Sequence, residues 1–496
     1  MKFEPLYYSD RLHIINPEGD IGITTLWSRP EQAIKVLTDL GIDLSPQTSR
    51  ISVVANLYGN GLPQMLRNLL WNPQIVYIIT IGQNLSGSKE ELRNFFEYGI
   101  ESVEYLGVST YRIIDTYRII DGLVKPDTFK NDIKILAFGK LSEDKTKEKV
   151  IHFFNTLSSK KLCQIERINK PIPKTEVQRY PSEPRNHNIL RTTPLEAWQE
   201  LIFRLVRFGY HNRLKKGERI ELQNVKVIVE QPIEESEESL NEYGFSLTHF
   251  KEYQQRILDP NLSEQSYTYG HRMRGYFYYN DKVVDSLEIV IKRLKEDLES
   301  RHAYVSLWDN SRDLPEGHGC PCLVSLFFRC FEGKLTLTAT FRTHNAMDAW
   351  LENVYGLMAI QRYVANHTEL QQGEITVFSH SISINADVLD KAKIVADKKK
   401  TDDMINQQTG KREPRYDYHG NFAVTVDHKN LEIVVQHNYE GTMIAEYRGK
   451  TAEAIENKLA QNCTISEISH ALYLGREIAR KEILLKKKSF SEPPGV

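Results

Sequence analysis

The sequence predicts a multidomain protein of the α/β and α+β classes. At 496 residues the chain is too long for a single hydrophobic core, and its hydrophobic content of 40% and charged content of 26% are typical of globular proteins. Two polar stretches rich in proline or charge, residues 171–192 and 397–415, have the composition of linkers. We therefore expect three domains, at residues 1–170, 193–396 and 416–496.

Residues 1–170 are predicted to form a doubly wound α/β domain. Three apolar runs alternate with helical patterns: ISVVANLYG from Ile51, IVYIITIGQNLSGS from Ile75 and IKILAFG from Ile133. Buried strands separated by helices are typical of a parallel sheet that is covered on both faces. The turns LYGNG and GQNLSGS then follow the carboxyl ends of strands, where such sheets bind ligands. Glycine turns without a ligand are also common in α/β domains, so both interpretations stay open.

The two remaining blocks have different patterns. The central block begins with an amphipathic helix, TPLEAWQELIFRLVRFG from Thr193, and a strand, VKVIVEQP, follows. Residues 416–496 contain three strand patterns, NFAVTVDH, LEIVVQHN and TMIAEYRG, and then one long helical pattern. The last block therefore predicts a small α+β domain.

Charge and segment composition exclude several classes of function. A net charge of -2 argues against binding of a nucleic-acid polymer, which needs a basic face, although a local site for one phosphate is compatible with it. The N-terminus lacks the pattern of a signal peptide, and the apolar runs are far shorter than the roughly 20 residues that cross a bilayer. Five cysteines do not form a disulfide framework. We expect a cytoplasmic protein with reduced thiols and no membrane partner.

Three of the five cysteines, Cys320, Cys322 and Cys330, lie close together and follow His318. These residue types are the ones that zinc prefers, but the spacing differs from the usual separation of two to four residues. The segments CLVSLFFRCF and KLTLTATFRTH also predict a β-hairpin that turns at 332–333. Such a hairpin places Cys322 and Cys330 several residues apart along one strand, which argues against a zinc site.

The same hairpin places Cys322 almost opposite Arg342 and Thr343. A guanidinium near a thiol stabilises the thiolate, which is the nucleophilic form. Arg342 and the Thr343 hydroxyl can also bind a phosphate together. From these residues alone, a nucleophile and a buried structural cysteine beside a surface arginine are equally good interpretations.

Several motifs in order along the chain resemble thymidylate synthase, most closely the archaeal type. They are PC at the start of a strand, FRTHN, a following asparagine and helix, YTYGHRMR, ESRHAYVSLWD and NVYGLMAIQRYV, and the resemblance covers about residues 193–395. The N-terminal domain is similar to the corrinoid-carrying subunit of the tetrahydromethanopterin S-methyltransferase. The segment HALYLGREIARKEI resembles an accessory domain that is attached to archaeal-type synthases.

The resemblance implies reductive methylation of dUMP at C5 by a homodimer. The one-carbon donor would be 5,10-methylenetetrahydrofolate or a modified pterin such as methylene-tetrahydromethanopterin. Cys322 matches the nucleophile that adds to C6 of the pyrimidine. The remaining matches are Arg342 and Thr343 for the phosphate, Asn353 for the pyrimidine edge, Tyr269 for a water network near the reacting ring, and Arg301 for the phosphate site of the partner subunit. His302 stands where the family has a second arginine for that site.

Four positions depart from the family pattern or are difficult to match. Asn345 stands where the family has an aspartate that binds the pterin, which leaves room for a modified pterin. Ser383 and Asn385 replace the histidine and tyrosine that contact the ribose hydroxyl. Glu230, at the end of VKVIVEQP, is our candidate for the general base. Two other functions fit the same residues: a hydroxymethylase acting on dUMP or dCMP, in which water replaces hydride, and a non-catalytic sensor of nucleotides or pterins.

Overall fold

The computed structural model describes residues 1–160, 162–174, 179–183, 185–214, 217–262, 267–316, 320–398, 404–405, 412–413 and 417–489. Most of the second expected linker and the potential zinc ligand His318 lie outside these residues. Within them, no helix has both the length and the apolar composition that a membrane span requires.

The N-terminal part contains the predicted parallel sheet. Its strands are β1 (His13–Ile14), β2 (Ile21–Thr24), β3 (Ile51–Ala55), β4 (Tyr77–Ile81), β5 (Ile100–Tyr105), β6 (Val108–Ile113), β7 (Ile119–Ile120) and β8 (Lys134–Gly139). The main sheet has the order β1-β3-β2-β4-β8, and only its first pairing is antiparallel. The helices are α1 (Pro30–Asp39), α2 (Leu62–Trp71), α3 (Ser88–Glu97) and α4 (Asp144–Thr156). Strands β5 to β7 form a separate small sheet that the sequence analysis did not predict.

The central part is built on an eight-stranded mixed sheet. The strands in this region are β9 (Asn188–Arg191), β10 (Tyr210–Leu214), β11 (Gly217–Val229), β12 (Tyr278–Tyr279), β13 (Lys282–Val283), β14 (Tyr304–Ser306), β15 (Leu323–Phe331), β16 (Lys334–Phe341), β17 (His344–Asn345) and β18 (Gln371–Asn385). The order is β10-β11-β18-β16-β15-β14, with β9 beside β11 and β17 beside β18. Strand β9 lies inside the stretch expected to be a linker, because its residues 188–191 pair with the end of β11.

Helices cover one face of this sheet. They are α5 (Pro194–Phe208), α6 (Glu237–Asn241), α7 (Leu247–Arg256), α8 (Tyr269–Arg274), α9 (Ser286–Glu296), α10 (Asp313–Glu316), α11 (Trp350–Thr368) and α12 (Leu389–Asp397). Helix α5 begins with a capping box between Thr193 and Glu196 and buries an apolar face. Helix α11 is buried over most of its surface and forms the centre of the core with Trp350. The indole N–H of Trp198 donates to the carbonyl of Ala346 at 2.8 Å and so ties α5 to the turn that enters α11.

The C-terminal part contains the predicted three strands and long helix. Its elements are the short pair β19 (Met404–Ile405) and β20 (Arg412–Glu413), the sheet β21 (Asn421–Asp427), β22 (Glu432–Tyr439) and β23 (Thr442–Gly449), and the helices α13 (Ala452–Gln461) and α14 (Ile468–Ser489). Helix α13 was not predicted. Both helices pack on the sheet through an apolar cluster that includes Ile433, Ile455 and Ile478.

Candidate functional site

The candidate site lies where the β15–β16 hairpin begins and ends. The hairpin turns at Glu332 and Gly333, which both have positive φ angles of 49° and 76° and so match the favoured two-residue hairpin turn. At the open end, the backbone N–H of Arg342 donates to the carbonyl of Cys322 at 3.0 Å. The predicted placement of Cys322 almost opposite Arg342 and Thr343 is therefore confirmed, and a β-bulge between Leu323 and Ser325 makes Arg342 the direct partner.

The other cysteines do not form a metal site with Cys322. Cys330 is buried at the turn end of the hairpin, where it pairs with Leu335. The thiol of Cys320 donates to the carbonyl of Asp313 at 3.2 Å. In the part of the chain that the structure describes, no group of three or more His, Cys, Asp or Glu side chains could hold a metal ion.

Two tyrosines lie beside the half-buried Cys322. The Tyr267 phenol lies close to the Cys322 thiol, and burial, followed by this neighbour, raises the pKa of Tyr267. Burial is also the main cause that raises the pKa of Tyr269. The Tyr269 ring lies edge-on to Phe341 at 6.5 Å. Both phenols therefore stay protonated at neutral pH and can donate hydrogen bonds at the start of β15.

The guanidinium of Arg342 lies over the segment that precedes Cys322. Its Nε donates to the carbonyl of Pro321 at 3.1 Å, and a terminal nitrogen donates to the carbonyl of Cys320 at the same distance. The Trp308 indole also donates to the Pro321 carbonyl, at 3.0 Å. Arg342 is exposed, and Thr343 beside it is half-buried. A positive charge and a hydroxyl therefore lie next to the thiol at the surface of the protein.

Asn353 lies in the first turn of α11 and belongs to a buried polar network. Its Oδ1 accepts from the Tyr253 hydroxyl at 2.8 Å, and its Nδ2 lies 2.9 Å from Nε2 of His344. The N-cap of α11 is Ala349, so Asn353 is not a capping residue. Sequence analysis missed Tyr253 and His344. The position of His344 inside the FRTHN motif was a usable signal, whereas nothing marked Tyr253.

Asn345 and Ser383 lie side by side on the neighbouring strands β17 and β18. Oδ1 of Asn345 accepts from the backbone N–H groups of Met347 and Asp348, at 3.0 and 3.2 Å. Nδ2 of Asn345 donates to the Asp348 carboxylate at 2.9 Å. Asn345 thus shapes the turn before α11 and holds an exposed carboxylate next to itself. Asn385 is exposed near the end of β18.

The structure does not bring Glu230 to Cys322. Strand β11 ends at Val229, which pairs with Ile375 on β18, whereas Phe341, the residue before Arg342, pairs with Ser379. The two levels are four residues apart on β18, which is about 13 Å along the strand. The Glu230 backbone is bound to Arg191, and Thr192 Oγ1 lies 3.5 Å from its carboxylate. A direct role of Glu230 as the general base is therefore not supported by its position in this chain.

Arg301 and His302 also lie far from Cys322 of the same chain. Both are exposed in the turn before β14. The neighbouring Glu299 pairs with Arg329 at 3.3 Å, near the turn end of the hairpin. Within one chain, Arg301 and His302 therefore lie near the opposite end of β15 from Cys322.

Comparisons with known proteins match two parts of the chain to protein families. A model of the family described as "Thymidylate synthase" matches residues 133–421, which is more than half of the chain. A model described as "PterinBD-DUF4346" matches residues 416–490. Together, these matches suggest a folate or pterin cofactor.

The chain is similar to archaeal proteins that carry the name "Putative thymidylate synthase". The protein of Methanothermobacter thermautotrophicus is 29% identical over 202 residues, which cover 38% of this chain and 87% of the relative. The protein of Methanothermobacter marburgensis is 30% identical with the same coverage. That of Methanocaldococcus jannaschii is 26% identical and covers 40% of this chain and 89% of the relative. The hairpin site and these matches place the chain in one family: it belongs to the thymidylate synthases.

Proposed function

We propose that this protein methylates dUMP at C5 reductively, with Cys322 as the nucleophile. The observation that carries the proposal is the pairing of Cys322 with Arg342 across the open end of the hairpin. A thiol, a guanidinium, two phenols and an amide, which are the groups needed to bind and activate a pyrimidine nucleotide, lie in one contiguous region. A sensor would have no need of the nucleophile.

The chemistry follows from the electrophilic C6 of uracil. Addition of the Cys322 thiolate to C6 moves an electron pair onto C5 and O4, which gives an enolate that can attack a one-carbon unit. The pterin donor supplies that carbon and then a hydride. Loss of the C5 proton to water would expel the pterin nitrogen and leave an exocyclic methylene on the ring. Hydride from the donor would reduce this methylene to the methyl group, and the resulting enolate would expel the Cys322 thiolate from C6. Tyr267 and Tyr269 can hold ordered water or O4 in this region through their hydroxyls.

The phosphate site needs residues from two chains. Arg342 and Thr343 provide a cation and a hydroxyl in one chain, and the proposal assigns Arg301 and His302 of the second chain to the same phosphate. This arrangement requires a homodimer, which we propose forms through the open face of the central sheet. Tyr304, Phe327 and Phe331 are all exposed on this face, and their rings make it apolar enough to bury against a second copy.

The donor is proposed to be a folate or another reduced pterin. Position 345 lacks the usual carboxylate, but the exposed Asp348 carboxylate lies 2.9 Å from Asn345 Nδ2. A carboxylate accepts the paired N–H groups of a pterin ring, so Asp348 can replace the missing acceptor. On this proposal Ser383 contacts the ribose side of the same site, with Asn385 further along β18, and the protein works in the cytoplasm.

The N-terminal domain has a cavity of its own. Its volume is about 310 Å³, and it lies at the carboxyl ends of β2 and β3, beside the LYGNG turn. A ligand at this turn stays a proposal, as does the similarity to the corrinoid-carrying subunit of the tetrahydromethanopterin S-methyltransferase. The cavity supports a small-molecule role for the domain because ligands of doubly wound sheets bind at this edge.

Product analysis tests the proposed reaction. Purified protein is incubated with dUMP or dCMP and methylene-tetrahydrofolate, and in parallel with methylene-tetrahydromethanopterin, and the nucleotides are examined by mass spectrometry. A methyl gain on dUMP that Cys322→Ala lacks supports the proposal, and the productive donor identifies the pterin. A hydroxymethyl gain would instead identify a hydroxymethylase, and nucleotide binding without any product would favour a sensor.

A further inference from the structure

The side-chain amide of Asn353 belongs to a line of four hydrogen-bonded side chains that fixes its orientation. The Tyr253 hydroxyl lies 2.8 Å from Asn353 Oδ1, Asn353 Nδ2 lies 2.9 Å from His344 Nε2, and His344 Nδ1 lies 3.1 Å from Ser379 Oγ. All members except Tyr253 are at least nine-tenths buried. The His344 ring also stacks on Phe341 with a centroid distance of 4.0 Å, which prevents it from turning. We call these four residues the amide relay.

The hydrogen bonds in the amide relay are all donated in the same direction, from Tyr253 towards Ser379. Burial lowers the pKa of His344 to about 3, so the ring is neutral and carries one N–H. Burial also raises the pKa of Tyr253, which therefore keeps its proton and can donate to Oδ1. Asn353 Nδ2 then donates to Nε2, and the ring proton resides on Nδ1, which donates to Ser379 Oγ. Each donor in the amide relay therefore has an acceptor when the Asn353 amide is in this orientation.

The orientation of the amide decides which pyrimidine edge it matches. One Nδ2 hydrogen and one lone pair of Oδ1 remain outside the amide relay. They match O4 and N3–H of uracil. Cytosine presents the reverse order, an amino donor and an N3 acceptor, so it needs the amide turned over. Turning the amide alone would bring Nδ2 to the Tyr253 donor and Oδ1 to the Nε2 lone pair, so that both hydrogen bonds are lost.

We propose that His344 is a positioning residue that selects uracil over cytosine by holding the Asn353 amide in one orientation, with Tyr253 acting from the other side. This inference rests on the proposed use of Asn353 to bind the pyrimidine edge. It makes selectivity a property of residues that do not touch the nucleotide.

Calorimetric binding of dUMP and of dCMP tests the proposal without requiring turnover. We expect the wild type to prefer dUMP and His344→Phe, which keeps the ring but not the acceptor, to reduce the dUMP-to-dCMP affinity ratio about tenfold, the value of one net hydrogen bond. His344→Gln should restore part of the ratio, because its amide oxygen can accept from Nδ2. Tyr253→Phe should also lower the ratio, and this variant tests the proposal if His344→Phe does not fold.

The matched control is His380→Phe. His380 lies on β18 next to Ser379, is exposed, and is bound to Asn224 Oδ1 at 3.0 Å, outside the amide relay. The control should leave the ratio unchanged. A folded His344→Phe with the wild-type ratio, or with both nucleotides weakened equally, would overturn the role of His344 while leaving the proposed function intact. A wild type that binds neither nucleotide would overturn both.

Discussion

At the scale of single residues, Cys322 is defined by its nearest side chains. Tyr267 lies beside the thiol, and Arg342 reaches from the neighbouring strand to the carbonyls of Cys320 and Pro321. These contacts fix the position of the sulfur relative to the cation that would bind a phosphate. The thiol can therefore be orientated before the nucleotide arrives, which lowers the entropic cost of attack.

Removal of the Tyr267 hydroxyl should distinguish orientation of the Cys322 thiol from binding of the nucleotide. We expect Tyr267→Phe to reduce kcat about tenfold and to leave KM for dUMP nearly unchanged, because the thiol loses a neighbouring hydroxyl that the proposed phosphate site does not use. Steady-state kinetics measure this effect. The control is Tyr278→Phe, which removes an exposed hydroxyl on β12 and should behave like the wild type. An equal loss in Tyr278→Phe would contradict the assignment.

Residue positions near the turn could be predicted from the sequence, whereas the amide relay could not. A two-residue turn fixes the register of a hairpin, so counting from Glu332 and Gly333 places Cys322 opposite Thr343 and beside Arg342. A β-bulge between Leu323 and Ser325, which counting does not predict, shifts the partner of Cys322 to Arg342. The partners of Asn353 come from α7 and β17. Their proximity depends on tertiary packing, for which one sequence contains no counting rule.

At the scale of elements, a buried ion pair joins α8 to α10, the helix that precedes the cysteine segment. Arg272 donates to both carboxylate oxygens of Asp313, at 3.0 and 2.8 Å, and both residues are buried. Asp313 also accepts from the backbone N–H of Asp309, and its carbonyl accepts from Cys320. The pair therefore links the helix that carries Tyr269 to the cysteine segment.

Removal of only one partner of this ion pair should lower the stability of the protein. We expect Arg272→Leu to reduce the free energy of unfolding by about 3 to 5 kcal/mol, because it leaves a buried carboxylate without its cation. The double variant Arg272→Leu with Asp313→Leu should recover much of this loss. Urea unfolding followed by tryptophan fluorescence measures both. A double variant that is less stable than Arg272→Leu would show that the charge of Asp313 is not the source of the cost.

The start of α14 depends on Asp417. Burial on its own would raise the pKa of this carboxyl, but hydrogen bonds from Ser466, from the His419 backbone and from His470 outweigh it and lower the pKa to about 2. The backbone N–H groups of Ser466 and Glu467, just before the helix, also donate to the carboxylate. Asp417 therefore anchors the helix to the chain that enters the C-terminal sheet.

The stability that Asp417 provides should depend on pH. Its folded pKa lies below its ordinary value of 3.8, so the contribution is complete above about pH 4 and is lost as pH falls towards 2. We expect Asp417→Asn to cost about 1 to 2 kcal/mol at pH 7 and almost nothing at pH 2. Hydrogen exchange of α14 peptides measures the difference, with Glu440→Gln in an exposed turn as the control. A difference that does not change with pH would contradict the role of the charge.

At the scale of the whole molecule, two chains are needed to complete the proposed phosphate site. The exposed aromatic side chains of the central sheet and the remote position of Arg301 both point to this arrangement. The division into three domains stays a prediction from composition, which rests on the difference in residue content between linkers and packed domains. Strand β9, inside the first expected linker, could not be predicted from composition, since its partner residues on β11 lie far along the chain.

Mixing two inactive variants tests the shared site. Cys322→Ala lacks the nucleophile, and we expect Arg301→Ala to lose most activity because the partner's phosphate site lacks a cation. In a mixed dimer, one site combines Cys322 with Arg301 and is complete. Random exchange at equal concentrations should therefore restore about a quarter of the wild-type activity. No recovery, with exchange of chains shown by native mass spectrometry, would contradict a site formed between chains.

The nucleophilic role of Cys322 is tested most directly by trapping its adduct. The fluorine of 5-fluoro-dUMP cannot leave C5 as a proton does, so the ternary adduct should accumulate when the pterin donor is present. We predict a gain in intact protein mass of one nucleotide plus one donor, located by peptide mass spectrometry on Cys322, present in Cys320→Ala and absent in Cys322→Ala. An adduct on another residue, or methylation of dUMP by Cys322→Ala, would contradict the account.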